Sequence, residues 1–182
     1  VLYHQDDALK LGVNLVATVL ANFEYARAWG VAKVYPEQDQ QTRDQLVVAQ
    51  VVHEGDWDPT PHALPNLMKY IQAETTLNVQ FRREVVALED VDVFQHPLLY
   101  MTGLRDFTLS DAQASRLRKY LSSGGVLIAD AAAGRAAFDR AFRRELAKVL
   151  PEAELAVLEA DSPVYRMPYR IGAADYSERV RA

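Results

Sequence analysis

Three polar groups in this chain have the residue types and placement that chemistry needs. The first, His53-Glu54-Gly55-Asp56-Trp57-Asp58, follows an apolar run over 46–52. The second, Thr102-Gly103-Leu104-Arg105-Asp106, follows the run over 98–101. The third is Asp130, which closes Val126-Leu127-Ile128-Ala129, with Arg135 shortly after it. If the runs are parallel strands, all three groups gather beyond the strands' carboxyl ends, where open α/β sheets bind ligands. One reading is a small carboxylate-rich cleft, with a divalent metal on His53, Asp56 and Asp130 as its most specific form. Trp57 is then a flat apolar wall, and Arg105 with Arg135 holds an anion against Asp106 and Asp130. The plainer alternative is structural: Asp56 and Asp58 cap the next turn or helix, Asp130 accepts backbone N–H bonds, and Trp57 covers the sheet end. The candidate ligand-binding residues are therefore His53, Asp56, Trp57, Thr102, Gly103, Arg105, Asp106, Asp130 and Arg135; no residue is assigned to catalysis or to a metal, and no cofactor is expected.

Composition removes several other chemistries. With no cysteine there is no disulfide, no thiolate nucleophile and no zinc–thiolate site. A net charge of −5 argues against a nucleic-acid partner, which needs a basic face. Arg135, Arg140, Arg143 and Arg144 fall on one helix and read as a solvated charged face, although Arg135 sits at an N-terminus, where the helix dipole favours an anion. His62 and His96 read as structural. Gly124-Gly125 precedes a strand, so it ends a helix rather than cradling a phosphate.

The unit that positions these groups runs from Leu98 to Gly134. Ser110 with Gln113 forms the pairing of a capping box, Ala114, Leu117 and Leu121 give a helical stripe, and Ser123-Gly124-Gly125 stops it. Two nearly all-apolar strands joined by a helix make a right-handed βαβ crossover in a buried parallel sheet. Ahead of it, 46–52 reads as the first strand, and a helix beginning near Thr60-Pro61 buries Leu64, Leu67, Met68 and Ile71. Residues 77–81 and 84–88 read as short strands, the second an edge or a connector. Beyond the unit, a helix over 135–150 is expected to bury Phe138, Phe142, Leu146 and Val149, with Arg140, Arg143, Arg144 and Lys148 outward. A last strand is expected over 154–158 and an extended segment over 162–171.

At the start, 6–23 is apolar except for Lys10, Asn14, Thr18 and Asn22, which line one side of a helix. It is shorter than the ~20 apolar residues of a membrane span, so a deeply packed helix is expected and no transmembrane segment. The chain divides into 1–44, a helix and linker read as the tail of an upstream unit; 45–172, an α/β domain; and 173–182, a loose tail. It opens at Val1 with no initiator Met or leader, and is read as a piece of a longer protein. The expected fold is a flavodoxin-like three-layer α/β sandwich with a mostly parallel sheet.

Leu98-Leu99-Tyr100-Met101-Thr102-Gly103, Leu109-Ser110, Leu117-Arg118-Lys119-Tyr120-Leu121 with Gly124-Gly125, and Ala129-Asp130 with Gly134 and Phe138 resemble a bacterial family catalogued as domain of unknown function 4159. Gly55-Asp56-Trp57 and Ser162-Pro163-Val164-Tyr165 fit the same family, and the resemblance spans Leu46 to Ile171. The family is similar to a branch of the class I glutamine amidotransferase-like superfamily. The resemblance implies that fold and a setting in large, envelope-associated or periplasmic bacterial proteins, sometimes as tandem copies, with residues 6–23 closing a preceding copy. Two departures matter: the turn after Asp130 is Ala131-Ala132-Ala133, and Ser162 stands where a His often precedes Pro-[Ile/Val]-[Tyr/Phe]. Amidotransferase chemistry needs a thiolate on a strained strand-to-helix turn and a later His–carboxylate pair. The turn holds methyl groups and no His follows His96, so glutamine hydrolysis by that mechanism is excluded. The expectation is a catalytically silent domain that binds a small ligand or a protein partner within a larger bacterial protein. The alternative is a hydrolase using Asp130 or Asp56 as general base, metal-assisted or not.

Overall fold

The computed structural model describes residues 5–28, 47–76, 83–159 and 161–171. Four strands, β1 (Val48–Val51), β2 (Glu84–Val86), β3 (Leu98–Gly103) and β4 (Val126–Ala131), pair in the order β2-β1-β3-β4, all parallel. Among the described residues there are four α-helices: α1 (Gln5–Ala28), α2 (Ala63–Glu74), α3 (Asp111–Ser122) and α4 (Ala136–Val149).

The twofold alternation of strand side chains divides the interior into two cores. Ala49, Val51, Leu99 and Met101 face α3 and α4, where Leu117, Tyr120, Phe138 and Ala141 meet them. Val48 and Leu98, with the half-buried Tyr100, Val126 and Ile128, face α1 and α2, which supply Val13, Val16, Val19, Leu64, Met68 and Ile71. Helices on both faces of an all-parallel sheet make an α/β architecture consistent with a flavodoxin-like sandwich.

α3 starts as its sequence requires. Ser110 Oγ accepts the Gln113 N–H while the Gln113 side chain accepts the Ser110 N–H, satisfying two donors that a helix N-terminus leaves open. Its end is set by Tyr120, whose hydroxyl donates to the His96 carbonyl at 2.9 Å. A Cβ at Gly125 would collide with the Tyr120 ring, so glycine is needed there.

α1 forms one layer with α2. Val13 is fully buried and Val16 nearly so. The polar stripe has a specific use at Asn14, which is also fully buried. Its amide donates to the carbonyls of Val164 (2.8 Å) and Tyr169 (2.7 Å), and its oxygen accepts the Tyr169 N–H (2.9 Å). Thus 162–171 is tied onto α1, turning once in a 3₁₀ helix at Pro163–Tyr165 instead of running extended. Gly12 lets α1 approach α2, since a Cβ there would lie 2.7 Å from Leu67 Cδ1.

Other expectations are corrected. Residues 153–159 form no strand: they are exposed, and no ladder bond ties them to β4. Leu155 and Val157 alternate as a strand would, but without a partner that pattern stabilises nothing. α4 buries Phe138, Ala141, Glu145 and Val149, leaving Phe142 and Leu146 half-buried, so its inner face is rotated toward a charged residue. α1 continues to Ala28, into the expected connector. The strand expected over 77–81 and the tail from 173 lie outside the described residues.

Candidate functional site

Parallel strands bring the loops after β1, β3 and β4 to one edge of the sheet, and the first two are pinned together through His53. Its Nε2 lies 2.9 Å from the Thr102 carbonyl, and its Nδ1 accepts the Gly55 N–H at 3.0 Å. These partners fix the neutral tautomer with the proton on Nε2, which donates to Thr102. Burial lowers the pKa of His53, against smaller raising effects from the Thr102 bond and Asp56. The ring packs against Phe107 and Phe138, at centroid distances of 4.7 and 5.6 Å, and those two rings also meet each other at 5.4 Å.

The Gly55 carbonyl takes the N–H groups of Leu104 (3.1 Å) and Arg105 (3.0 Å). A Cβ at Gly103 would come within 2.7 Å of that carbonyl oxygen and of Phe138 Cδ2. Glycine is therefore set there by close approach of the two loops. His53, Gly55, Thr102 and Gly103 come together, but as a staple rather than as an open cleft. With both ring nitrogens engaged, a metal on His53 would have to displace the Gly55 N–H from Nδ1 or the Thr102 carbonyl from Nε2. Among the described residues no group of three His, Cys, Asp or Glu side chains could hold a metal ion.

Trp57 and Asp58 are drawn to Arg83, just before β2. The guanidinium stands 5.5 Å from the Trp57 ring centroid and pairs with Asp58, while buried Gln50 donates to the Trp57 carbonyl at 2.7 Å. One face of Trp57 is thus covered by a cation. Asp56, half-buried, takes a left-handed φ of 61°.

Asp106 turns to α4 instead of meeting Arg105. Arg144 Nη2 donates to it at 2.9 Å and also to the Phe107 carbonyl, and the Arg144 bond holds the Asp106 carboxyl below the usual range. Beneath lies Glu145, 1 % exposed, which accepts from Lys148 (2.8 Å), Arg144 (2.8 Å) and the Leu109 N–H (3.1 Å). Burial pushes the Glu145 pKa up, but these three donors outweigh it and the net direction is down. Arg144, Glu145 and Lys148 thereby lock the loop from Asp106 to Leu109 onto α4. Arg105 and Arg135 are exposed, with no ion pair among the described residues.

Asp130 differs from Asp58 and Asp106, each of which meets an arginine. It lies in register with Thr102, is exposed, and accepts one bond, from the Tyr100 hydroxyl to Oδ2 at 3.2 Å. Burial, followed by the Asp130 charge, raises the Tyr100 pKa, so the hydroxyl keeps its proton. Behind the pair opens a pocket of about 340 Å³, between α1, α2 and the sheet. Leu11 and Leu15 line it from α1, Leu64 and Leu67 from α2, and Leu98 and Ile128 from the sheet. Sequence reasoning missed Tyr100 and this pocket because α1 carried no local sign of where it docks. The β4–α4 turn is a short 3₁₀ segment, Ala132–Gly134, with Ala133 left-handed at φ 51°, ψ 27°.

The family model described as Domain of unknown function (DUF4159) matches residues 47–181. The chain belongs to that family. No curated protein matches it.

Proposed function

We propose that this member of the DUF4159 family is a catalytically silent, amidotransferase-like domain that binds a small ligand or a protein partner within a larger bacterial protein. The observation that carries the reading is the β4–α4 turn. Ala133 keeps the left-handed backbone that strained strand-to-helix turns use to present a nucleophile, yet its side chain is a methyl group. Outside glycine and a few polar residues that conformation is disfavoured, so the turn's shape is held by its surroundings. Shape without a reactive atom supports a scaffold used for binding. His53 adds to this, since a general base needs a free nitrogen and both of its nitrogens are engaged.

Asp130 is the polar group best placed to meet a ligand: exposed, at a strand's carboxyl end, with one oxygen uncommitted. The same features make it the general base of the rival hydrolase reading. The two separate in a turnover screen of the purified chain with ester, phosphate and amide substrates, alongside Asp130→Asn. The silent-domain reading expects no turnover by either protein. Hydrolysis present in the parent chain and abolished in Asp130→Asn would establish the hydrolase.

A further inference from the structure

Resting on that reading of Asp130 as a binding group, we propose that the pocket behind it takes a protonated amine carried on an apolar chain. The class follows from what the polar end can offer. The Tyr100 proton is committed to Asp130 Oδ2, so the pair presents acceptors only: the second carboxylate oxygen and a lone pair of the hydroxyl. A carboxylate or phosphate ligand would face a negative charge that no cation among the described residues offsets. A neutral hydroxyl could donate once. An ammonium group donates up to three bonds and matches the charge, which makes the bonds stronger.

Among the described residues no cation holds this place. Asp58 has Arg83, Asp106 and Glu145 have Arg144, Asp139 has Arg143 and Glu152 has Arg118. Asp130 pairs with no Lys, Arg or His among the described residues. The apolar end is built for a chain: its lining reaches Leu98 and Met68, which are 1 % and 4 % exposed, and extends out to the small, exposed Ala8 and Ala63. At about 340 Å³ it lies within the range of small-ligand sites, roughly 300–1,000 Å³. An apolar tail laid along Leu11 and Leu67 would bring its ammonium to Asp130.

The test is a chemical-shift titration of the ¹⁵N-labelled chain with hexylamine hydrochloride, hexanol and sodium hexanoate, three probes of one chain length. Hexylammonium is expected to shift the amides of Gly12, Leu67, Ile128 and Asp130. Hexanol should bind there at least about tenfold more weakly, and hexanoate should not bind. Asp130→Asn should reduce the amine to the level of the alcohol. Ala63→Trp, at an exposed helix-start position, should block the mouth for every probe while leaving the spectrum folded. Hexanoate binding as well as the amine, amine binding unchanged in Asp130→Asn, or the absence of shifts at these four amides would each overturn the proposal. None of those results would touch the silent-domain reading, which falls to turnover by the purified chain.

Discussion

Replacing Asn14 with Ala tests how the two ends of the described fold are joined. The wild-type amide makes three bonds to 164–169, at 2.8, 2.7 and 2.9 Å, from a residue with no exposed surface. Hydrogen bonds of this kind contribute about 0.5–1.5 kcal/mol each, and a buried donor left open costs about 1–3 kcal/mol. The substitution removes all three and orphans the Tyr169 N–H, so a loss of roughly 2–4 kcal/mol is expected. That is a large share of the about 5–15 kcal/mol that holds a typical domain. With a urea m-value of about 1–3 kcal/mol/M, the midpoint should fall by on the order of 1–2 M. Asn14→Asp keeps the acceptor for Tyr169 but loses both donors, and brings a charge into a buried site, so it should not rescue. Amide exchange gives a second readout: the Tyr169 N–H should lose protection in Asn14→Ala before strands β1 and β3 do. A midpoint within about 0.5 kcal/mol of wild type, the range of indifferent surface changes, would refute the account of how α1 is held.

Other perturbations probe separate parts of the fold. Deleting residues 1–28 strips three buried valines and uncovers Leu98, Val48 and Met68, so cooperative urea unfolding should be lost; a sharp transition in the truncated chain would show α1 to be dispensable. Ser110→Ala opens the capping box and should cost about 0.5–2 kcal/mol, and an unchanged midpoint would exclude Ser110 as the cap. His53 and His96 both have pKa values lowered by burial. Their neutral forms favour the fold, so stability is fully present above the unfolded value of about 6.5 and is lost as pH falls from there through the lower folded values. NMR titration should find His53 ionising below pH 6.5, and a midpoint above that value would contradict the staple.

Local signals made much of the fold legible. The Ser110–Gln113 pairing, the glycine stop and the apolar runs of β1, β3 and β4 each act over a few residues, and the structure places them as expected. What escaped depends on distant partners. Asn14 reads as one polar position in a stripe, but its partners lie 150 and 155 residues away. Glu145 took no part in the inner stripe read from apolar spacing, and only Arg144, Lys148 and the Leu109 amide around it make its buried position tolerable. Residues 154–158 have the alternation of a strand, a pattern that is informative only when a neighbour exists to pair with it. At the sheet's edge, residue type could not separate a histidine fixed by two backbone bonds from one free to act.

The central claim is that the loops after β1 and β3 are tied down through His53, Gly55 and Arg144, whereas Asp130 at the end of β4 is left open for binding. The most direct measurement is the urea midpoint of Asp130→Asn beside that of His53→Ala. Asn can still accept the Tyr100 hydroxyl, so the first should stay within about 0.5 kcal/mol of wild type. His53→Ala removes a buried ring and both of its bonds, and should lose several times as much. A loss of about 1–3 kcal/mol in Asp130→Asn, equal to or above that of His53→Ala, would show that Asp130 is a structural residue and contradict the account.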